Sequence, residues 1–330
     1  MYRSRESLPV STPLEGDWTM PELDEYSAII ARIERQRRLI RSARGSAAVA
    51  AGLESIMNDP THGLCRVQGR NEVTDRLAGL LVAFSHDYRV ASSTFMNFAL
   101  MAGPGSGKTR LGQVIAFVFR KSMIMTGGTF ALVTRGDLVG THVGETAVKT
   151  RKRLMSSLEG VLFIDEAYAL GRCDGRQDEF GTEAVTELVN FLDKAAGLIV
   201  VIVAGYQDKM QRCFFGSNEG LDRRFPYKFV LAPLGATQLV GILGERLQNK
   251  GLVVKPDTQI FLTEVVEFLL RKHLLPNGAG DMHNIADAIV RTAHAVTGVR
   301  WGKSLTDNEA IIMASIDEHL GPRQVALSVA

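Results

Sequence analysis

The sequence contains few cysteines, and this scarcity excludes two classes of protein. Only three of its 330 residues are cysteine, namely Cys65, Cys173 and Cys213, and no two of them are close in sequence. An odd and widely spaced set gives neither a disulfide framework nor the cysteine pairs of a CxxC zinc site. We therefore predict reduced thiols in an intracellular compartment.

The sequence also lacks an excess of charge of one sign, and it lacks long apolar runs. The 38 lysine and arginine residues nearly balance the 36 aspartate and glutamate residues, which leaves a net charge of +2. Proteins that bind nucleic acid through bulk electrostatics usually carry a larger basic excess, so the composition disfavours nucleic acid as a partner. The longest apolar run, Leu198–Ala204, is far shorter than the roughly 20 residues that span a bilayer, so no membrane span is expected. Arg3 and Arg5 are followed by Glu6 and prolines rather than by the apolar core of a signal peptide, and we expect a soluble, cytoplasmic protein.

The middle of the chain alternates between strand and helix patterns. Val161–Ile164 and Leu198–Val203 are continuous apolar runs, which is typical of strands buried on both faces of a parallel sheet. Helical patterns separate the strands, and this order predicts an α/β domain with a doubly wound parallel sheet. Four amphipathic helical patterns follow Pro233, and they predict a small all-helical domain.

These patterns divide the chain into five expected segments. The boundaries follow a cluster of helix-breaking residues near 58–63 and the change of pattern at Pro233. The segments are a flexible tail (1–22), an N-terminal helical segment (23–62), an α/β nucleotide-binding domain (63–233), a helical lid domain (234–322) and a C-terminal tail (323–330).

The strongest motif is a glycine-rich loop, AGPGSGKT from Ala102 to Thr109, between a predicted strand and a predicted helix. Glycines allow successive backbone N–H groups to surround an anion, and the following helix directs its N-terminal dipole at the same place. This predicts a loop that binds the phosphates of ATP, with Lys108 reaching the β- and γ-phosphates and Thr109 binding Mg²⁺. The candidate nucleotide-binding residues are Gly103, Pro104, Gly105, Ser106, Gly107, Lys108, Thr109 and Arg110.

One residue of this loop departs from the usual pattern, in which the first position is glycine rather than Ala102. Alanine is tolerated there provided that φ is negative. The alternative interpretation is a glycine-rich turn with a lysine by chance, and the order of strand, loop and helix speaks against it.

A second motif places two carboxylates at the end of the buried run Val161–Ile164. Asp165 is expected at the carboxyl edge of the sheet, where open α/β sheets bind their ligands, and it can hold Mg²⁺ through water. Glu166 is then placed to act as general base on an attacking water. The alternative is that the two acids only cap the turn after the strand.

These motifs resemble those of the AAA+ ATPases, in particular the branch that includes the red-type Rubisco activase (CbbX) and the stage V sporulation protein K-like proteins. The resemblance runs from about Gly69 to Gly321, and it implies the P-loop NTPase fold and ATP hydrolysis with Mg²⁺. The stretches that carry it, besides the loop, are Asp137–Gly140, Val143–Ala147, Phe163–Tyr168, Phe180–Ala184, Val203–Tyr206 and Gly220–Phe225.

The resemblance also implies a second catalytic residue and an assembly. Arg224 matches the arginine finger that enters a neighbouring subunit's active site, with Arg223 as the fallback. The alternative for Arg224 is a surface arginine paired with Asp222. A finger acting between subunits implies a homo-oligomer, a hexameric ring. The position that senses the γ-phosphate in relatives falls near Tyr206, where most AAA+ proteins have Asn or Thr.

Two positions differ from the relatives. The lid residues that would hold a nucleotide-contacting arginine are Gly280 and His283. A histidine is mostly neutral at pH 7, so His283 is either a partial substitute or a buried histidine. In the central-pore loop, His142 precedes Val143 where relatives have Tyr-Val-Gly, and imidazole holds an extended polypeptide less well than a larger aromatic ring.

We therefore expect an ATP-hydrolysing ring motor that remodels a protein client in a chaperone-like manner. One alternative is a nucleic-acid motor or loader on the same ATPase core, which the near-neutral charge disfavours. Another is an ATP-gated scaffold with little turnover. The missing lid arginine favours the scaffold, whereas the Asp165–Glu166 pair opposes it.

Overall fold

The computed structural model describes residues 73–80 without 74 and 78, 95–129 without 123, 126 and 128, 130–172, 178–297, 304–305 and 309–320. The segments predicted at 1–22, 23–62 and 323–330 lie outside these residues. The described chain forms two units. The first contains the residues up to Ala102 together with Lys108–Leu231, and the second contains Gly103–Gly107 together with the residues from Ala232 onward.

A five-stranded parallel sheet is the centre of the first unit. Its spatial order is β2 (Phe130–Val133), β3 (Val161–Ile164), β4 (Val200–Gly205), β1 (Phe98–Met101) and β5 (Tyr227–Val230). β3 and β4 correspond to the two continuous apolar runs of the sequence. Every residue of β1, β3 and β4 is buried, whereas the edge strand β2 has one exposed residue. The predicted α/β class is therefore confirmed.

Helices cover both faces of this sheet. They are α1 (Lys108–Lys121), α2 (Arg135–Leu138), α3 (Glu145–Ser156), α4 (Glu179–Lys194), α5 (Gln207–Lys209) and α6 (Gly220–Arg224). A 3₁₀ turn spans Ala167–Leu170, and α5 continues into a π-helical turn, Met210–Phe214, and a 3₁₀ turn, Phe215–Ser217. Because side chains alternate along β1, Phe98 and Leu100 pack with α1, whereas Ala99 and Met101 pack with α4 on the other face.

The second unit is helical, as predicted. Its helices are α7 (Ala236–Asn249), α8 (Pro256–Arg271), α9 (Ala279–Thr297) and α10 (Glu309–Leu320). They share one core, in which Leu239, Leu243, Leu269 and Ile289 are completely buried. The sequence did not predict the two short parallel strands of this unit, β6 (Val253–Val254) and β7 (Ser304–Leu305).

Two further features bear on the expectations from composition. Cys213 is buried and disulfide-bonded, which corrects the expectation of reduced thiols at this residue. The other two cysteines, Cys65 and Cys173, lie outside the described residues. In the part of the chain that the structure describes, no helix combines the length and the apolar character needed to cross a membrane.

Candidate active site

The glycine-rich loop joins β1 to α1 as the sequence predicts. Gly105 and Gly107 have φ values of +60° and +82°, a left-handed conformation that explains the glycines at these positions. The Ser106 hydroxyl donates a hydrogen bond to the Gly103 carbonyl, 2.9 Å away, and α1 begins directly after the loop at Lys108. Ala102 is buried and has no positive φ, so alanine is accommodated at the first position of the motif.

Lys108 lies at the carboxyl edge of the sheet close to both predicted carboxylates. Its ammonium group donates a hydrogen bond to the Ala102 carbonyl at 3.1 Å. Burial lowers the pKa of Lys108, while the negative charges of Asp165 and Glu166 act in the opposite direction. The structure therefore brings together the lysine of the loop and the two acids that the sequence placed 57 and 58 residues further on. Thr109 is half-buried in the first turn of α1, and Arg110 is exposed.

The two carboxylates are presented by a sharp turn at the end of β3. The Asp165 backbone N–H donates to the Val133 carbonyl at 2.8 Å, which continues the pairing with β2 for one residue. Glu166 has φ +50° and ψ +41°, an uncommon conformation for a residue with a side chain, and its N–H donates to Asp165 Oδ1 at 3.0 Å. Strained backbone of this kind is concentrated at functional sites. Asp165 is half-buried and Glu166 is exposed.

The oxygen donors of this edge fit a magnesium ion. Among the described residues, no group of three or more His, Cys, Asp or Glu side chains could hold a metal ion. Mg²⁺ differs from zinc or calcium in binding through only one or two protein oxygens together with water and substrate phosphates. Thr109 and Asp165 offer donors of that kind, and the Asp165 carboxylate accepts a hydrogen bond from the Glu166 N–H.

Three residues that the sequence interpretation did not assign as a group lie together where β4 ends. The rings of Tyr168 and Tyr206 have centroids 6.0 Å apart, and the Lys209 ammonium group lies 4.9 Å from the first and 5.4 Å from the second. Tyr206 is also 5.8 Å from the Lys108 ammonium group. Only Tyr206, at the expected γ-phosphate-sensing position, was singled out from the sequence. Only their positions in the sequence could have indicated Tyr168, which follows Glu166, and Lys209, which follows β4.

Arg224, the predicted arginine finger, has a buried side chain in this chain. The Arg224 side chain is only 5% exposed, and its guanidinium forms an ion pair with Asp193 and donates to the Gly220 carbonyl at 2.6 Å. The alternative pairing with Asp222 is also not observed, because Asp222 pairs with Lys228. The neighbouring Arg223 is exposed. The assignment of Arg224 as the finger therefore stays a prediction, and Arg223, the fallback, is the arginine exposed to solvent.

The predicted pore loop is an ordered and projecting turn before α3. Val143 is 93% exposed at its tip. The Glu145 carboxylate accepts hydrogen bonds from the backbone N–H groups of Thr141 and His142, both at 3.1 Å, and from the Thr141 hydroxyl at 3.2 Å. The backbone hydrogen bonds from His142 and Thr141 lower the pKa of Glu145. The loop that carries His142 and Val143 is thus held by one carboxylate at the start of α3.

In the second unit, the turn before α9 contacts the glycine-rich loop. The Ala279 N–H donates to the Gly105 carbonyl at 3.1 Å, and a Cβ on Gly105 would lie only 1.5 Å from the Asn277 carbonyl oxygen. The buried carboxylate of Asp281 holds this turn by accepting from the Asn277 N–H at 2.7 Å. His283 is exposed, so it is not the buried histidine that the sequence left open.

Similarity to known proteins agrees with this geometry. Residues 98–217 match the family described as ATPase family associated with various cellular activities (AAA). The chain is 30% identical over 270 residues to a CfxQ homolog of Trieres chinensis, and the matched region covers 81% of this chain and 91% of that protein. It is 30% identical over 227 residues to a chloroplastic ribulose bisphosphate carboxylase/oxygenase activase of Cyanidioschyzon merolae, a match that covers 69% of this chain and 76% of that protein. It is 32% identical over 180 residues to stage V sporulation protein K of Bacillus subtilis, a match that covers 54% of this chain and 52% of that protein. The chain therefore belongs to the AAA family of ATPases, in the branch of the CfxQ- and activase-like proteins.

Proposed function

We propose that this ATPase assembles into a homo-hexameric ring and uses ATP hydrolysis to remodel a protein client. The observation that carries the proposal is the convergence of Lys108, Asp165 and Glu166 at one edge of a parallel sheet. The client class is supported by the relative from Cyanidioschyzon merolae, which is named for activating ribulose bisphosphate carboxylase/oxygenase. A protein is accordingly the client class that we propose for this chain.

In the proposed reaction, the backbone N–H groups of Gly103–Gly107 and the N-terminus of α1 bind the phosphates of ATP. The Lys108 ammonium group neutralises charge on the β- and γ-phosphates. Thr109 and Asp165 would hold Mg²⁺, which polarises the γ-phosphate when it is bound. Glu166 removes a proton from the water that attacks the γ-phosphorus, and the bond to the β-phosphate oxygen breaks to give ADP and phosphate.

An arginine from the neighbouring subunit completes the proposed site. Developing charge on the γ-phosphate is stabilised by such a group in related reactions. Arg223 is exposed, whereas the Arg224 guanidinium is occupied by Asp193 and the Gly220 carbonyl. We therefore assign the finger to Arg223 and a structural role to Arg224. An interface of this heterologous kind closes into a ring when the rotation between subunits permits.

The surface proposed to contact the client is the loop of His142 and Val143. Its tip is apolar and almost completely exposed, and Glu145 restricts its backbone. An exposed apolar residue on a restrained loop is suited to contact an extended polypeptide without sequence specificity. The imidazole of His142 supplies less apolar contact than the tyrosine of relatives, so each subunit is expected to bind the client weakly.

The proposal is tested by measuring the mass of the Glu166→Gln variant with and without Mg²⁺ and ATP, by native mass spectrometry. The variant should bind ATP and turn it over only slowly, so a hexamer that forms with ATP is the expected result. Turnover of the wild-type protein is then measured with candidate client proteins, one of which is expected to stimulate it. A protein that binds ATP but hardly hydrolyses it, with or without clients, would instead be an ATP-gated scaffold.

A further inference from the structure

A buried carboxylate joins three segments of the second unit. Asp281, the third residue of α9, is only 2% exposed. It accepts hydrogen bonds from the Asn277 backbone N–H at 2.7 Å and from the Asn277 side-chain amide at 3.2 Å. Its Oδ1 also lies 3.3 Å from Nε2 of His319, near the end of α10, and the imidazole must donate because a carboxylate only accepts. Asp281 therefore ties α10 to the turn before α9.

The turn that Asp281 holds is in direct backbone contact with the glycine-rich loop. The Ala279 N–H donates to the Gly105 carbonyl at 3.1 Å. A Cβ on Gly105 would lie 1.5 Å from the Asn277 carbonyl oxygen, and a Cβ on Gly278 would lie 3.1 Å from the Gly105 carbonyl oxygen. Contacts under 3.0 Å do not occur for real Cβ atoms, so no side chain fits at Gly105 while the turn is in place.

The turn contacts the loop on the side that faces away from the expected phosphates. In an anion-binding loop the backbone N–H groups converge on the anion, and the carbonyl groups point outward. The contact is made through the Gly105 carbonyl rather than through an N–H group of the loop. The turn can therefore support the phosphate-binding conformation of the loop without competing with the phosphates.

Support of this kind matters because the loop is rich in glycine. Gly105 and Gly107 have φ values of +60° and +82°, and glycine loses more conformational freedom than any other residue when it is ordered. A loop that is fixed before the nucleotide arrives loses less conformational entropy on binding, so it binds the nucleotide more tightly.

We propose that Asp281, held in place by His319, is a positioning residue that keeps the glycine-rich loop in its phosphate-binding conformation through the turn at 277–279. The lid positions where relatives have an arginine are Gly280 and His283 in this chain, and the turn contacts the loop through its backbone instead. The inference rests on the proposed binding of phosphates by this loop. Lys108→Ala alone tests that role, so a failure of the loop assignment and a failure of this proposal can be distinguished.

The first test compares Asp281→Asn with a matched control, Asp287→Asn, in calorimetric titrations with ADP, which is not hydrolysed. Asp287 belongs to the same helix, but its ion-pair partners, Lys250 at 3.0 Å and Arg246 at 3.6 Å, lie at the C-terminal end of α7. Asparagine at 281 keeps the shape and loses the charge and one accepting oxygen, so the Kd for ADP should rise about tenfold. The kcat at saturating ATP should stay within about twofold, because the bound nucleotide itself then orders the loop. Asp287→Asn should change the Kd by less than about twofold.

His319 provides a second and milder test, because its side chain is 18% exposed. His319→Ala removes one donor to the Asp281 carboxylate, so the Kd for ADP should rise about threefold. His319→Gln keeps an N–H donor, and it should bind ADP more tightly than His319→Ala does. In the Asp281→Asn background, His319→Ala should cause little further loss, because both side chains act through the same contact.

The split between the two aspartates separates positioning of the loop from a general role in stability. Thermal unfolding shows whether each variant is folded at the temperature of the titration. The proposal is overturned if Asp281→Asn binds ADP as the wild type does, or if Asp287→Asn weakens binding equally. It is also overturned if the only loss in Asp281→Asn is in kcat at saturating ATP. If Asp281→Asn does not fold, His319→Ala decides, and wild-type affinity in that variant overturns the proposal.

Discussion

The two adjacent arginines of α6 should respond to substitution in opposite ways. Arg224→Ala removes a guanidinium with 5% exposure that pairs with Asp193 and donates to the Gly220 carbonyl. Breaking a fully buried pair costs about 3–5 kcal/mol, but Asp193 is 46% exposed and regains water when its partner is lost. We therefore expect a loss of about 2–3 kcal/mol in the free energy of unfolding. For a unit of this size that loss corresponds to a fall of roughly 5–10 °C in Tm.

Arg223→Ala is the matched variant at the next position. Arg223 is exposed, and substitutions of exposed residues usually change stability by less than about 0.5 kcal/mol, so its Tm should be that of the wild type. Turnover should nevertheless fall about 10³-fold, because an arginine finger contributes that much or more. Thermal unfolding and ATP hydrolysis are measured on both variants. A stable Arg224→Ala protein without turnover, next to a normally active Arg223→Ala protein, would refute the assignment.

The remaining predictions concern the loop, the base and the projecting turn. Lys108→Ala should abolish tight binding of ATP in calorimetry, since the lysine charge acts in a half-buried site; undiminished affinity would place the site elsewhere. Glu166→Gln should bind ATP while turnover falls about 10²-fold or more, and near-normal turnover would exclude Glu166 as the base. Because the pKa of Glu145 is lowered, its hydrogen bonds to the turn are fully present above the ordinary pKa of 4.5 and are lost as the pH falls through the lowered pKa of the folded protein. Amide exchange at Thr141 and His142 should therefore accelerate there, and unchanged protection would contradict the role of Glu145.

The sequence predicted those parts of the fold whose signal is local. The continuous apolar runs of β3 and β4 identified buried parallel strands, and the glycine pattern before Lys108 placed the phosphate loop. The strand β5 was missed because Tyr227–Val230 is short and lies at the edge of the sheet, with only Phe229 fully buried. Its apolar signal is therefore weak.

The details of the site that escaped prediction depend on contacts between distant segments. The buried Arg224 pairs with Asp193, which lies 31 residues earlier on α4, and nothing near Arg224 in sequence reveals that partner. In the same way, Tyr168 and Lys209 meet only because β3 and β4 are neighbours in the sheet and end at the same edge. Motifs therefore identified the candidate residues, whereas the tertiary structure determines which of their side chains are exposed and which are buried.

The most direct test of the ring motor is to mix Arg223→Ala subunits with Lys108→Ala subunits and to measure ATP turnover. Each variant alone should be inactive. In a mixed ring, an Arg223→Ala subunit keeps its Lys108 and can receive Arg223 from a Lys108→Ala neighbour, so at equal amounts about a quarter of the sites should be complete. The account predicts that turnover returns to a fraction of that order. Mixed rings verified by native mass spectrometry that show no turnover would contradict a site shared between subunits.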